Sequence, residues 1–209
     1  SIIFRKEING VEQKNGKINI HFIDGSSDQV DYLVISDGVF SKTKSVIEKK
    51  FSKPKYYGAV AVRTQIKNQD ISNFDSKNIS LVMGSNAHLV FYPINQQKEI
   101  NLVCVIKKKT EGNDSIKTIL ENTILKENKN LINLFKGDLK LWPIYVSDKP
   151  IRSIYKNVLY LGDALYTFLP TIAQGASQSI ESANEIFELI KKNHSDLQNE
   201  FFIKRIKKI

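Results

Sequence analysis

Two junctions in the last third of the sequence place residues where they could take part in binding chemistry. An apolar strand, Val158 to Leu161, stops at Gly162-Asp163, and a long helical pattern opens at Gln174-Gly175-Ala176-Ser177. A carboxylate after an inner strand can accept hydrogen bonds from ribose or ribityl hydroxyls, and a glycine beside it lets a ligand approach the backbone. Free N–H groups at a helix start favour negative charge. Taken singly, such residues are also common turn, capping or packing residues.

Composition excludes several other kinds of site. The chain has 209 residues, 41% of them hydrophobic, which predicts a folded core. One cysteine and three dispersed histidines exclude a disulfide scaffold and a Cys/His zinc site, and no metal site is predicted. No apolar run approaches the ~20 residues of a membrane span, so no integral membrane segment and a cytoplasmic location are expected.

The net charge of +9 raises the question of a nucleic-acid partner. The lysines are scattered and arginines are few, whereas nucleic-acid surfaces combine clustered arginines with exposed aromatic residues. A solvated basic surface is therefore favoured and no nucleic-acid partner is expected. A basic nucleic-acid module is kept as an alternative hypothesis, and it predicts salt-sensitive binding to DNA or RNA.

Hydrophobic periodicity supplies the elements that must position these junctions. The first part reads as an antiparallel meander with an early strand at Ile2 to Ile8, followed by a buried strand at Tyr32 to Ile35 and a short helix. The middle reads as an antiparallel sheet, then a helical segment over 115–136 and an extended connector at Trp142 to Tyr145. The last part reads as a strand and two helices. The first of these helices is predicted to bury Ala176, Ile180, Ala183, Phe187 and Ile190.

Read in order, these segments resemble a known family. The string Val158 to Ala164, Leu169-Pro170 and Gln174-Gly175-Ala176 resembles the second FAD-binding motif of class A flavoprotein monooxygenases, the para-hydroxybenzoate hydroxylase-like enzymes. Asp31 to Gly38, with Ser41 and Lys44, resembles the Asp-Gly motif of that family, which usually ends Ser-x-x-Arg. Strands of the salicylate hydroxylase-like branch resemble Tyr57 to Arg63 and His88 to Pro93.

The resemblance implies an α+β or α/β fold in two parts. Residues 1–52 and 151–209 would form a partial, Rossmann-like FAD-binding lobe, and residues 53–150 a mostly antiparallel β-sheet substrate domain. The Gly-x-Gly-x-x-Gly unit that opens the family does not occur in this sequence. The chain is therefore interpreted as an incomplete member that is inactive alone. Ala173 also stands where the family usually has a glycine.

The implied activity is hydroxylation of a phenol or aromatic acid through a flavin hydroperoxide, with FAD as cofactor and NAD(P)H as reductant. By resemblance, Gly162 and Asp163 lie at the ribityl chain and Pro170 beside the isoalloxazine ring. Contacts near the pyrimidine edge of the flavin would come from Gln174, Gly175, Ala176 and Ser177. Contacts near the pyrophosphate would come from Asp37 and Gly38.

Three side chains of the middle sheet are candidates for a substrate pocket: Arg63, His88 and Tyr92. Each also has an ordinary interpretation, as a surface-pairing arginine, a structural histidine and a half-buried sheet aromatic. Two alternatives to hydroxylation stay open. One is other flavin chemistry, epoxidation or reduction, and the other is a non-catalytic remnant that needs a missing N-terminal half. A homodimer is also left open.

Overall fold

The computed structural model describes residues 1–51, 53–68, 75, 77–109, 114–121, 132–170, 173–193 and 195–209. It has the mixed helix and strand content that the sequence predicted. The strands are β1 (Ile8–Lys14), β2 (Lys17–Phe22), β3 (Ser27–Val30), β4 (Leu33–Ile35), β5 (Lys55–Lys67), β6 (Ser80–Met83), β7 (Ala87–Ile94), β8 (Glu99–Lys107), β9 (Lys140–Val146) and β10 (Val158–Tyr160). The helices are α1 (Lys42–Ile47), α2 (Ile116–Glu121), α3 (Gly175–Lys191) and α4 (Leu197–Ile206), with a 3₁₀ turn at Gly162–Ala164.

The chain divides into two compact units. The first comprises Ser1–Lys55 and Tyr145–Ile209, and the second comprises Tyr56–Ile144. No helix among the described residues is both long and apolar enough to cross a membrane.

A small antiparallel meander opens the first unit, in the order β1-β2-β3. Asn15 and Gly16 reverse the chain between β1 and β2, both at positive φ (53° and 77°). Alternation along β2 places Ile18 and Ile20 in the core, where they are 0% and 6% exposed. The predicted early strand at Ile2 to Ile8 is wrong, because β1 only begins at Ile8. A positive φ of 60° at Arg5 interrupts the extended backbone before that point.

A two-stranded parallel sheet of β4 and β10 forms the centre of the first unit. Val34 lies opposite Leu159, and Ile35 opposite Tyr160. Parallel strands end at the same edge of a sheet, so the segments that follow β4 and β10 emerge side by side. Those segments are Asp37-Gly38 and Gly162-Asp163, the two junctions that the sequence singled out.

The buried face of α3 differs from the predicted one. Ile180 is 72% and Phe187 is 61% exposed, whereas Ile186 and Leu189 are each 4% exposed. Ile186 and Leu189 share a core with residues of the neighbouring helix α4, Leu197 and Phe201. Two apolar stripes run along α3 at helical spacing, and contact with α4 decides which one is buried.

A five-stranded sheet in the order β6-β7-β8-β5-β9 forms the second unit. One face of the sheet packs into a core with α2, where Val62, Leu89, Leu102, Ile119 and Leu120 are buried. The segment Trp142 to Tyr145, predicted as a connector, belongs to edge strand β9. An edge position tolerates Pro143, which has no N–H to donate. Of the predicted helix over 115–136, the structure shows α2, while residues 122–131 lie outside the described residues.

Candidate functional site

The Gly-Asp turn follows directly from the parallel sheet. Leu161 N–H donates to Ile35 O at 2.8 Å, which closes the pairing of β4 with β10. The chain then turns at Gly162, where φ is +59°, and both Leu165 N–H and Tyr166 N–H donate to Gly162 O. A Cβ atom at Gly162 would lie 2.8 Å from the Oγ atom of Ser179 on α3. A glycine is therefore required here for two reasons, the backbone angle and the close approach of α3.

Asp163 lies within this turn and is an exposed residue. No hydrogen bond or ion pair to its carboxylate comes from any described residue. The backbone oxygen of Asp163 accepts a hydrogen bond from Thr167 Oγ1 at 3.3 Å. Partial desolvation raises the pKa of the Asp163 carboxyl above its ordinary value. Asp163 thus offers an acceptor with unused capacity to ligand hydroxyl groups.

The opening turn of α3 lies next to Gly162. Gln174 precedes the helix without a side-chain cap, so Gly175, Ala176 and Ser177 begin the helix with no capping acceptor. The Ser177 hydroxyl donates to Gln174 O at 3.0 Å. These three N–H groups carry the positive end of a 17-residue helix dipole. The arrangement suits an anion or a ring edge that accumulates negative charge.

Ala173, just before that helix, is in the left-handed region with φ +51°. An alanine there is strained by roughly 1 kcal/mol relative to glycine. We expect Ala173→Gly to stabilise the protein by up to about 1 kcal/mol, after allowance for the added entropy of the unfolded chain. Ala183→Gly, inside α3, is the matched control and should destabilise it by about 1 kcal/mol. Urea unfolding measures both, and equal losses for the two variants would contradict the strain.

The Asp37-Gly38 turn is tied to the start of α1. Thr43 N–H donates to Asp37 Oδ2 at 3.0 Å, and Lys44 N–H donates to Ser41 Oγ at 2.9 Å. Gly38 has φ +86°, which glycine adopts without strain. One oxygen of the Asp37 carboxylate is thus used to cap α1, and the other has no partner among the described side chains.

A buried polar cluster below the two turns was not predicted from the sequence. Lys44 and Glu48 are only 7% and 6% exposed. The Lys44 Nζ atom donates to Ala164 O, and Glu48 Oε1 accepts from Tyr160 Oη at 2.7 Å. Burial and the carboxylate of Glu48 raise the pKa of Tyr160. The only signal in the sequence was the position of Lys44, which matches the arginine of the Ser-x-x-Arg pattern.

The three candidate pocket residues of the second unit share one face of its sheet. Strand register places Arg63 opposite Val103, which in turn lies opposite Val90. His88 and Tyr92 flank Val90 on the same face of β7, each in a neighbouring row. Because β8 lies between β5 and β7, Arg63 is about 10 Å or more from the β7 residues at the backbone. The side chains share a surface without converging on one point.

The surroundings of these side chains differ. His88 is half-buried, and burial lowers its pKa below the ordinary value. Arg63 is exposed and lines an open groove of about 410 Å³ together with Gln65, Asn101 and Trp142. Pro170, at the end of the Gly-Asp loop, is exposed. Among the residues whose structure is described, no group of three acidic, histidine or cysteine side chains could hold a metal ion.

Comparison with known proteins shows which proteins this chain resembles. The chain is 26% identical over 203 residues to the FAD-dependent monooxygenase eupB of a Phoma species, covering 88% of this chain and 46% of that protein. It is 24% identical to the 3-amino-4-hydroxybenzoate 2-monooxygenase of Streptomyces cremeus, covering 84% and 45%. Salicylate hydroxylase of Pseudomonas putida is 22% identical, with 94% and 51% covered. The chain is thus similar in sequence to FAD-dependent monooxygenases and aromatic hydroxylases.

Two solved structures share its fold. Klebsiella pneumoniae HpxO, in complex with FAD and uric acid, aligns with a TM-score of 0.78 at 17% identity, over 94% of this chain and 52% of that one. A salicylate hydroxylase substrate complex aligns with a TM-score of 0.75 at 19% identity, over 88% and 51%. The chain therefore spans about half the length of the monooxygenases it matches. No family model matches it.

Proposed function

We propose that this chain carries part of the flavin site of an FAD-dependent monooxygenase that hydroxylates a small aromatic compound with NAD(P)H as reductant. One observation carries the proposal: among the described residues the Asp163 carboxylate has no partner, and it follows a parallel strand at a turn on which α3, whose start has no side-chain cap, is packed. The relatives named above are FAD-dependent monooxygenases or hydroxylases, which supports the same assignment.

The described residues fit a flavin. Gly162 allows the turn that presents Asp163, Asp163 can accept hydrogen bonds from ribityl hydroxyls, and the N–H groups of Gly175 to Ser177 can face the pyrimidine edge. FAD, when bound, supplies the activation of dioxygen. The role of these residues is to bind and orient the cofactor, and the helix dipole of α3 favours negative charge at its start.

The aromatic substrate is assigned, as part of this proposal, to the face of the second unit that carries Arg63, His88 and Tyr92. The guanidinium group of Arg63 has no hydrogen-bond or ion-pair partner among the described residues, and it suits a carboxylate. His88, with its lowered pKa, is neutral at physiological pH and can accept or donate a hydrogen bond. Because Arg63 lies away from the other two, we expect only His88 and Tyr92 to contact the same ring.

The proposal is tested by absorbance spectroscopy. The purified chain is incubated with excess FAD, desalted, and scanned for bound flavin. We expect retained flavin absorbance, because the ribityl and pyrimidine contacts lie within this chain. A colourless protein after incubation at high FAD concentration would contradict the proposed site.

Turnover is measured separately, as oxygen consumption with NAD(P)H and simple phenolic acids. The sequence contains no Gly-x-Gly-x-x-Gly turn, so this chain alone is expected to bind flavin without hydroxylating a substrate. Coupled oxygen consumption by this chain alone would overturn that expectation of inactivity.

A further inference from the structure

Lys44 is a buried cation that the proposed chemistry does not use. Its side chain lies above the rings of Tyr160 and Phe51, with Nζ 5.4 Å and 5.6 Å from the two ring centroids. Nζ donates a hydrogen bond to the backbone oxygen of Ala164, a residue with no exposed surface. A buried ammonium group is costly unless it is hydrogen-bonded and balanced by opposite charge.

The charges around Lys44 provide that balance. Burial lowers the pKa of the lysine, while the carboxylates of Asp37 and Glu48 oppose the shift and favour the charged form. Glu48 is itself held in place, since its Oε1 atom accepts from Tyr160 Oη and from the N–H of Ile154 at 3.2 Å. The charged form of the lysine is therefore favoured by two carboxylates, and its Nζ atom reaches one backbone carbonyl.

The bond to Ala164 connects two segments far apart in sequence. At one end, α1 is fixed to the Asp37 turn through the N–H of Thr43. At the other, Ala164 is the last residue of the 3₁₀ turn that contains Asp163. The Asp37 turn and the 3₁₀ turn follow neighbouring parallel strands, β4 and β10. Lys44, on α1, connects them through its hydrogen bond to Ala164.

We propose that Lys44 is a positioning residue, whose hydrogen bond to Ala164 fixes the 3₁₀ turn and thereby the direction of the Asp163 carboxylate. The expected effect of Lys44 on flavin binding rests on the proposed function. A carboxylate that must meet ligand hydroxyls has to be held closely, and a change of about 1 Å in such a group has large effects. The bond does not depend on flavin, so it can be tested without it.

The test compares Lys44→Met, which removes the ammonium group, with Lys44→Arg, which keeps a donor and a charge. Lys42→Met is the matched control, because Lys42 lies on the same helix but is exposed and pairs with Glu7 at the surface. The first readout is amide hydrogen exchange at Leu165 and Tyr166, whose N–H groups close the turn on Gly162 O. The second is the FAD dissociation constant.

We expect about tenfold faster exchange at the turn in Lys44→Met, with exchange in β1 and β2 unchanged, and about tenfold weaker FAD binding. Lys44→Arg and Lys42→Met should leave both quantities near the wild-type values. Unchanged exchange in Lys44→Met, or equal losses in Lys44→Arg, would overturn the positioning role. Faster exchange with unchanged FAD affinity would overturn its connection to the site.

A second variant guards against unfolding. Removal of the cation alone leaves Glu48 buried without its counter-charge, so Lys44→Met/Glu48→Gln removes both charges while the amide can still accept from Tyr160. Fast exchange confined to the turn in this variant supports the proposal, and exchange at the wild-type rate contradicts it. A wild-type chain that binds no flavin would refute the proposed function, while the exchange data would still decide the role of Lys44.

Discussion

Gly162→Ala is expected to destabilise the first unit by about 2 to 4 kcal/mol, as measured by denaturant unfolding. Two costs combine. The φ of +59° is strained for any residue with a Cβ atom, and that atom would lie 2.8 Å from Ser179 Oγ. Gly16→Ala is the matched control, because its φ is +77° and nothing lies within 4 Å of the added atom. Gly16→Ala should lower the free energy of unfolding only by the strain of a positive φ, about 1 kcal/mol.

A double variant separates the two costs. Ser179→Ala removes the oxygen in question and leaves the Ser179 Cβ position at 3.5 Å, an ordinary contact distance. In the Ser179→Ala background, Gly162→Ala should lower the free energy of unfolding only by the backbone cost. That loss should be about the same as the loss that Gly16→Ala causes in the wild-type chain. If Gly162→Ala loses no more than Gly16→Ala, or Ser179→Ala restores nothing, the close packing of α3 on the turn is wrong.

Arg205→Met is expected to lower the free energy of unfolding by about 3 kcal/mol. Arg205 is 1% exposed and joins α4 to α3 through Glu181 and Glu185, at 3.1 Å and 3.4 Å from Nη1. Its Nη2 group donates to Gln178. Removal of the guanidinium takes the hydrogen bond from Gln178 and one of two cations from the glutamates, which then pair with Lys208 alone, and it reduces the packing of the two helices.

Lys204→Met is the control for that variant. Lys204 is adjacent in sequence but forms a surface pair with Glu200 at 3.3 Å, for which a loss of about 0.5 kcal/mol or less is expected. Arg205→Lys should recover only a minor part of the stability, because an ammonium group cannot reach both helix positions at once. A loss for Arg205→Met as small as that for Lys204→Met would contradict the role of Arg205.

Acidic pH should weaken the same helix contact. Lys208 and Arg205 lower the pKa of Glu181 by hydrogen bonding to its carboxylate. A carboxyl whose pKa is lower in the folded state contributes stability above the ordinary pKa of glutamate, and that contribution is lost as the pH falls through the folded value. Unfolding midpoints measured between neutral pH and pH ~3 should fall less in Arg205→Met than in wild type.

Both junctions and most of the sheet could be predicted from the sequence, because the relevant signals are local. The change from an apolar strand to Gly162-Asp163 marked the end of β10, whereas the early strand at Ile2 to Ile8 was wrong and β9 was taken for a connector. The buried face of α3 could not be predicted in the same way. Ile180 with Phe187 and Ile186 with Leu189 are both pairs at helical spacing on one helix, and only the contact with α4 distinguishes them.

The buried cluster around Lys44 shows the same limit in the candidate site. Lys44 and Ala164 are 120 residues apart in sequence, and they meet because β4 and β10 pair in parallel. Lysine is seldom buried, so composition assigns it to the surface. The position of Lys44 matches the arginine of a family motif, which was informative, but no pattern in the sequence indicates that its partner is the carbonyl of Ala164.

Contact of Asp163 with a flavin is tested most directly by an equilibrium titration. FAD fluorescence is measured in three separate titrations, with the wild-type chain, with Asp163→Asn and with Asp138→Asn. Asp138→Asn is the control, because Asp138 is an exposed carboxylate of the second unit whose pair with Lys140, at 3.8 Å, is loose. We predict saturable binding by wild type and by Asp138→Asn, and binding about tenfold weaker by Asp163→Asn. Equal affinities for all three proteins, or no binding by wild type, would contradict the account.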